Sequence, residues 1–313
     1  MDWLVWYVTD EGRDSSLRGY EAHRSEIFLG REKVRNEAPW MLALLAFVIM
    51  FFQARRSAHS FFLGLAERMS MPLSKRQRFI EHAYYLVYYS LMEATGYILY
   101  RYDGWDAWNG VDYWEGHPYQ PFRPVIRGYY LFELAFYVNA LIYLVLFESR
   151  RADFRILVIH HLTTIVLIST SYWWRFFRVG HTILILHNFS DMFLYAGKAL
   201  HYTGRARTVV DAILGMFAVS FFLSRLVFFP FWVIRSTLIL SRRHCPVLAR
   251  GIFYVIPNVS LVVLQMMHVY WFYLIVLQVA QALRYGQMKS DVRSDDDEPS
   301  EPPAAAASDK KKD

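Results

Sequence analysis

Long apolar runs, separated by short polar connections, organise this chain. Seven runs read as helices: 39–53 (PWMLALLAFVIMFFQ), 79–100, 129–147, 156–174, 179–202, a stretch within 209–240 that holds Pro230, and a stretch within 252–285. A helix needs about 20 mainly apolar residues to cross a bilayer, and several runs reach that length. The pattern therefore predicts an all-α membrane protein with about seven transmembrane helices. The segment 105–119 (WDAWNGVDYWEGHPY) is too polar to span and reads as an interfacial cap anchored by Trp105, Trp108 and Trp114. From Met288 onward the chain is polar, acidic and then Ala/Pro-rich, too poor in apolar residues to fold, so it reads as disordered.

Composition agrees with this picture without deciding it. The chain is 55% hydrophobic and 18% aromatic, and its Trp and Tyr content suits belts at two membrane interfaces. The net charge of +6 comes largely from short loops beside spans, with no dense basic patch, so no nucleic-acid partner is expected. The lone cysteine, Cys245, excludes an intrachain disulfide and a Cys-cluster metal site. No cleavable signal peptide is expected, because 1–35 carries charges of both signs and no apolar core.

Loop charge sets an orientation. The connection 54–78 carries Arg55, Arg56, Arg68, Lys75, Arg76 and Arg78, whereas 101–128 carries Asp103, Asp106, Asp112 and Glu115. The positive-inside bias puts the first in the cytosol, which with seven spans puts the N-terminus in the lumen and the C-terminus in the cytosol. The expected organisation is an N-terminal luminal segment (1–38), a first helix and cytosolic loop (39–78), a helical domain with the chemistry (79–287), and an acidic cytosolic tail (288–313). In that tail Ser294 precedes Asp295, Asp296, Asp297 and Glu298, a candidate phosphorylation site. Lys310 and Lys311 resemble a dilysine retrieval signal of endoplasmic-reticulum membrane proteins.

Two runs carry ionisable groups at membrane depth. The fourth contains His160, His161, Thr164, Ser171 and Tyr172; the fifth contains His187, Asn188, Ser190, Asp191 and Lys198. Such groups cost about 2.5–3.5 kcal/mol each for Asp or Lys, so they face a bundle interior or wet cavity and read as functional. His187 and Asp191, four apart, share a helix face; adjacent His160 and His161 point about 100° apart. The two sets meet if the helix boundaries shift by about a turn. An interhelical hydrogen-bond network and a proton relay are the competing readings. A zinc site is disfavoured because the His-His pair is adjacent, so no metal is expected. His82, His181 and His268 read as structural, and Lys198 as snorkelling to an interface.

The segment HHLTTIVLISTSYWWRFFRVGHTILILHNFSDMFLYAGKALHY resembles the signature of the ceramide synthases, the longevity-assurance homologues of the TLC-domain family. His160, His161, Thr164, Ser171, Tyr172, Arg178, Gly180, His187, Ser190, Asp191, Lys198 and Tyr202 match in register. RFIEHAY, RLVFFP and LQMMHVYW resemble further family segments, extending the likeness over about 78–295. Asn188 stands where the family usually has aspartate, Tyr195 where it has glutamate, and Arg175 where asparagine is common. The resemblance implies a TLC-type helical barrel around an intramembrane cavity, in the endoplasmic-reticulum membrane. It implies transfer of a fatty acyl group from acyl-CoA to a sphingoid-base amine, with acyl-CoA as co-substrate and no other cofactor. A homo- or hetero-dimer is a further expectation. The alternative is a non-enzymatic TLC-fold lipid-binding or translocation-associated protein.

Amide formation from a thioester needs a base for the amine proton and donors for an oxyanion. His160 or His161 is the expected base or nucleophile. His187 joins them in the expected catalytic set, Asp191 orients and charges a histidine, and Asn188, Tyr172 and Ser190 are expected in supporting or oxyanion roles. Arg178 is expected to bind substrate.

Overall fold

A computed structural model describes residues 31–117, 119–147, 153–244 and 251–285. Ser294, the lysines at the C-terminus, Cys245 and the first 30 residues lie outside the described residues. Seven long helices follow in order: α1 (Arg31–Arg68), α2 (Leu73–Asp103), α3 (Pro124–Leu146), α4 (Phe154–Trp173), α5 (Phe177–Tyr202), α6 (Arg207–His244) and α7 (Ile252–Tyr285). No strand occurs among the described residues.

Local chemistry sets the ends. Gly104, at φ 73°, closes α2 with its N–H on the Tyr100 carbonyl, a left-handed cap that glycine adopts without a Cβ clash. Pro124 opens α3 at a position whose N–H has no helical partner. The first helix corrects the expected boundary. It runs far past Gln53 to Arg68, so most of the anticipated loop 54–78 is helical. Arg, Ala, Phe, Leu and Glu in that stretch are adequate helix formers, and the turn is confined to 69–72.

Five of these helices are long and apolar enough to cross a membrane: α1, α3, α4, α6 and α7. α2 and α5 are more polar, and their polar groups turn onto neighbouring helices. His181 Nε2–H donates to the Gly96 carbonyl at 3.0 Å, joining α5 to α2. Tyr88 of α2 donates to Glu133 of α3 at 2.6 Å.

α6 is unusual. Over Phe222–Ile234 and Ser236–Leu240 it is wound as a π-helix, with i→i+5 hydrogen bonding, around Pro230. Proline lacks the N–H that an α-turn would use, and the wider turn accommodates it.

The packing order runs α2 against α5, α5 against α6, α6 against α7, α7 against α4, α4 against α3, and α3 against α2; α1 lies along α3 and α2. Aromatic rings fill the contacts. Phe51 of α1 meets Phe132 at 4.8 Å, and Tyr88 stacks on Phe136.

Candidate active site

Two cavities lie one above the other along the bundle. The first, about 160 Å³, is polar and lined by His160, His161, Asp191, Lys198, Arg225 and Trp271 among others. It sits by the first turns of α4 and the second half of α5. His161 Nδ1 lies 2.8 Å from the Leu157 carbonyl. A carbonyl only accepts, so Nδ1 carries the proton and Nε2 of the neutral ring keeps a lone pair. The His160 ring stands at 87° to that of His161 and edge-on to Trp271 at 5.1 Å. Lys198, expected to snorkel to an interface, is among the residues that line this cavity.

Asp191 is held by an arginine from the wide stretch of α6. Arg225 Nη2 donates to Asp191 Oδ1 at 2.7 Å and to the His187 carbonyl at 3.1 Å. Its guanidinium also lies over the Phe221 ring, and only 4% of the residue is exposed.

His187 takes a different partner from its sequence neighbours. Its Nδ1–H donates to the Ile183 carbonyl at 2.7 Å, which leaves Nε2 as the acceptor for His268 Nε2–H at 2.9 Å. His268, read from the sequence as structural, is buried and hydrogen-bonded to a residue of the expected catalytic set. The cause is tertiary, since α7 meets α6 and α4 at this level.

The second cavity is a narrow apolar slot of about 60 Å³. His187, Thr164 and Tyr137 stand at one end; Trp114, Thr237, Phe253 and Tyr254 stand toward the other. Tyr137 lines both cavities. The connection 104–123 packs over the far end. Trp114 Nε1–H donates to Ser236 Oγ at 2.8 Å, and Ser236 Oγ–H donates to the Gly110 carbonyl at 2.9 Å. Trp105 and Trp114 are buried, whereas Trp108 is 66% exposed. His117 Nε2–H donates to the Trp174 carbonyl at 3.1 Å, and the ring stacks on Phe176. Its shielded Nδ1 has no hydrogen-bond partner. Burial, reinforced by the Arg175 charge, pushes this imidazole down to about 4.

Residues 78–277 match the TLC-domain family. The chain belongs to the TLC-domain family. Among relatives, ceramide synthase 4 of Bos taurus is 36% identical over 220 residues, 70% of this chain and 54% of its own length. ASC1-like protein 3 of Oryza sativa subsp. japonica is 34% identical over 226 residues, 71% of this chain and 78% of its own. Ceramide synthase LOH2 of Arabidopsis thaliana is 38% identical over 186 residues, 58% and 62% of the two chains. The match thus covers about half the length of the cattle relative.

Within this TLC domain the signature residues separate into groups. His160, His161 and Asp191 share the polar cavity, and His187 lies one turn away on the slot. Tyr172 donates to Glu37 of α1 at 2.6 Å. Arg178 donates to the Asp112 carbonyl and fastens the cap. Ser190 Oγ–H donates to the His187 carbonyl at 3.3 Å, and Asn188 faces α3. None of these four lines the polar cavity.

Gly180, a match, and Arg175, a departure, have local reasons. A Cβ at Gly180 would collide with Ser171 Oγ and Tyr130 Oη, so the α4–α5 turn closes only around glycine. Arg175 makes that turn at φ 61°, and Phe176 N–H donates to the Ser171 carbonyl at 2.8 Å. Asparagine tolerates this left-handed geometry better than arginine does.

The sequence reading gave Arg225 no role and His268 only a structural one, although both left a further signal. RLVFFP places an arginine inside an apolar run, which is costly unless it serves a site. In LQMMHVYW, His268 and Trp271 are three apart and share a face.

Proposed function

We propose that this protein is a ceramide synthase, transferring a fatty acyl group from acyl-CoA to the amine of a sphingoid base and releasing CoA. The observation that carries this is the pairing of a polar cavity, where the His161 lone pair is fixed by the Leu157 carbonyl, with an apolar slot directly beyond it. The names of the cattle and Arabidopsis relatives support the same reading.

In the general-base route the neutral amine attacks the thioester carbon, and His161 Nε2 takes the amine proton. The C–S bond breaks, and the thiolate leaves with the proton that the imidazolium returns. In the covalent route an imidazole nitrogen attacks first, CoA leaves, and the amine resolves the acyl-imidazole. In either route Asp191, held by Arg225, borders the same cavity as the two histidines. The acyl chain lies past Tyr137 in the slot. The slot is narrower than an extended chain needs, so its lining side chains part on binding.

In this reading all seven helices span the membrane of the endoplasmic reticulum. In the same reading α2, α5, α6, α7, α4 and α3 form a ring around the cavities with α1 outside, which the order of helix contacts supports. The turn 69–72, flanked by Arg68, Lys75, Arg76 and Arg78, faces the cytosol. The polar cavity then opens on the side where acyl-CoA arrives, the cap is luminal, and the C-terminus is cytosolic. No cofactor beyond acyl-CoA is required.

The test is CoA release by purified protein. Release that requires both acyl-CoA and sphingoid base, with an N-acylated base as product, supports the assignment. An intact, folded protein that makes no amide from any acyl-CoA and sphingoid base overturns it. A burst of CoA before base is added selects the covalent route.

A further inference from the structure

Asn188 is fully buried, and its side chain points away from both cavities toward α3. There Nδ2–H donates to Glu133 Oε1 at 2.7 Å. Glu133 is also fully buried, and its other oxygen, Oε2, accepts from Tyr88 at 2.6 Å. A carboxylate accepts and an amide nitrogen donates, so this contact fixes which way the Asn188 amide faces.

The contact sits one residue from His187. On the opposite side of the same turn, Arg225 grips the His187 carbonyl and Asp191. α5 is therefore held from two directions: by Glu133 through Asn188, and by Arg225. The rotation of α5 about its axis decides whether the His187 ring meets His268 and whether Asp191 faces the polar cavity.

We propose that Glu133, which lies outside the signature, is a positioning residue for the transfer reaction, acting through Asn188. The amide at 188 and the carboxylate at 133 form one interdependent pair. The carboxylate that the signature carries on α5 is here supplied from α3, and restoring it at 188 alone places two carboxylates in contact. Such a pair must share a proton or move apart.

This inference rests on the proposed acyltransfer, and four proteins test both: wild type, Asn188→Asp, Glu133→Gln, and the double variant. Asn188→Asp is expected to lower kcat at least about tenfold, the scale of one lost charge-assisted hydrogen bond. Glu133→Gln also lowers kcat, because an amide N–H then faces the Tyr88 or Asn188 donors. Neither change touches substrate, so KM for acyl-CoA and base stays within about twofold of wild type. In the double variant the new amide on α3 donates to the new carboxylate on α5, the same hydrogen bond reversed, and kcat recovers to within about threefold of wild type. Melting temperatures follow the same pattern. Single variants with full kcat, or a double variant no better than the worse single one, overturn the pair. A fall confined to the melting temperature, with kcat of the folded fraction intact, overturns the positioning role. A folded wild type without transferase activity overturns the acyltransfer reading and, with it, positioning for that reaction.

Discussion

Replacing Arg225 by methionine tests how strongly the site depends on one guanidinium. The substitution keeps an apolar stem against Phe221 and removes the charge. Two hydrogen bonds disappear, to Asp191 Oδ1 at 2.7 Å and to the His187 carbonyl at 3.1 Å. Breaking a buried ion pair from one side costs about 3–5 kcal/mol. Asp191 borders a cavity of about 160 Å³, where water can replace part of what is lost, so the low end applies, about 3 kcal/mol. If that loss falls on the transition state, kcat drops roughly a hundredfold. Arg225→Lys retains the charge but reaches only one of the two acceptors, and is expected to lose about tenfold. The assay is amide formation under saturating substrate, scaled to folded protein by size-exclusion chromatography, with melting temperature measured alongside. A methionine variant within about threefold of wild-type kcat and with an unchanged melting temperature would refute the reasoning, since the Asp191 carboxylate would then need no arginine.

Other outcomes follow from the same geometry. His160→Ala and His161→Ala each lose most transfer activity, measured as amide product in microsomes, while the protein still inserts; near-normal rates in both would remove the base assignment. Trp114→Ala opens the far end of the slot, and competition among acyl-CoAs of graded length should shift toward longer products; an unmoved profile means the chain does not reach the cap. The His117 imidazole is held down to about 4 in the folded protein, against about 6.5 when unfolded. Its stabilising effect is complete above the unfolded value and is lost as pH falls toward the folded one. Between about pH 7 and about pH 5 the loss, discounted for a half-buried ring, is about 1–2 kcal/mol, and His117→Phe should flatten that slope in melting experiments. Arg175→Asn relieves a left-handed arginine and should gain about 0.5–1 kcal/mol, read as a higher melting temperature; a lower one would show that the Arg175 side chain matters more than its backbone.

Much of the helical architecture was legible because membrane helices announce themselves as runs of apolar residues. The length of α1 was not, since a basic helix leaving an apolar one has no compositional edge between them. The polar residues of α4 and α5 were legible one by one, but their grouping was not. His187 and Asp191 share a face yet stand about 6 Å apart along the axis, enough to place them on different cavities. The rotation of about 100° that separates His160 from His161 also separates His187 from Asn188, which puts Asn188 against Glu133. Arg225 and His268 come from segments distant in sequence, and only packing brings them to Asp191 and His187.

The wide winding of α6 bears on how relatives of this chain are compared. A π-turn holds one more residue than the α-turn it replaces. A homologue that lacks one residue between Phe222 and Ile234 is therefore not broken there; it simply continues as an ordinary α-helix. The turn then closes with one residue fewer, and the residues beyond the gap keep the faces they have here. Arg225 precedes most of the stretch, while Thr237 and Ser241, which line the slot, follow it. An alignment that opens its gap inside this stretch therefore keeps Thr237 and Ser241 paired with slot-facing positions, whereas one that opens it elsewhere in α6 pairs side chains about 100° apart.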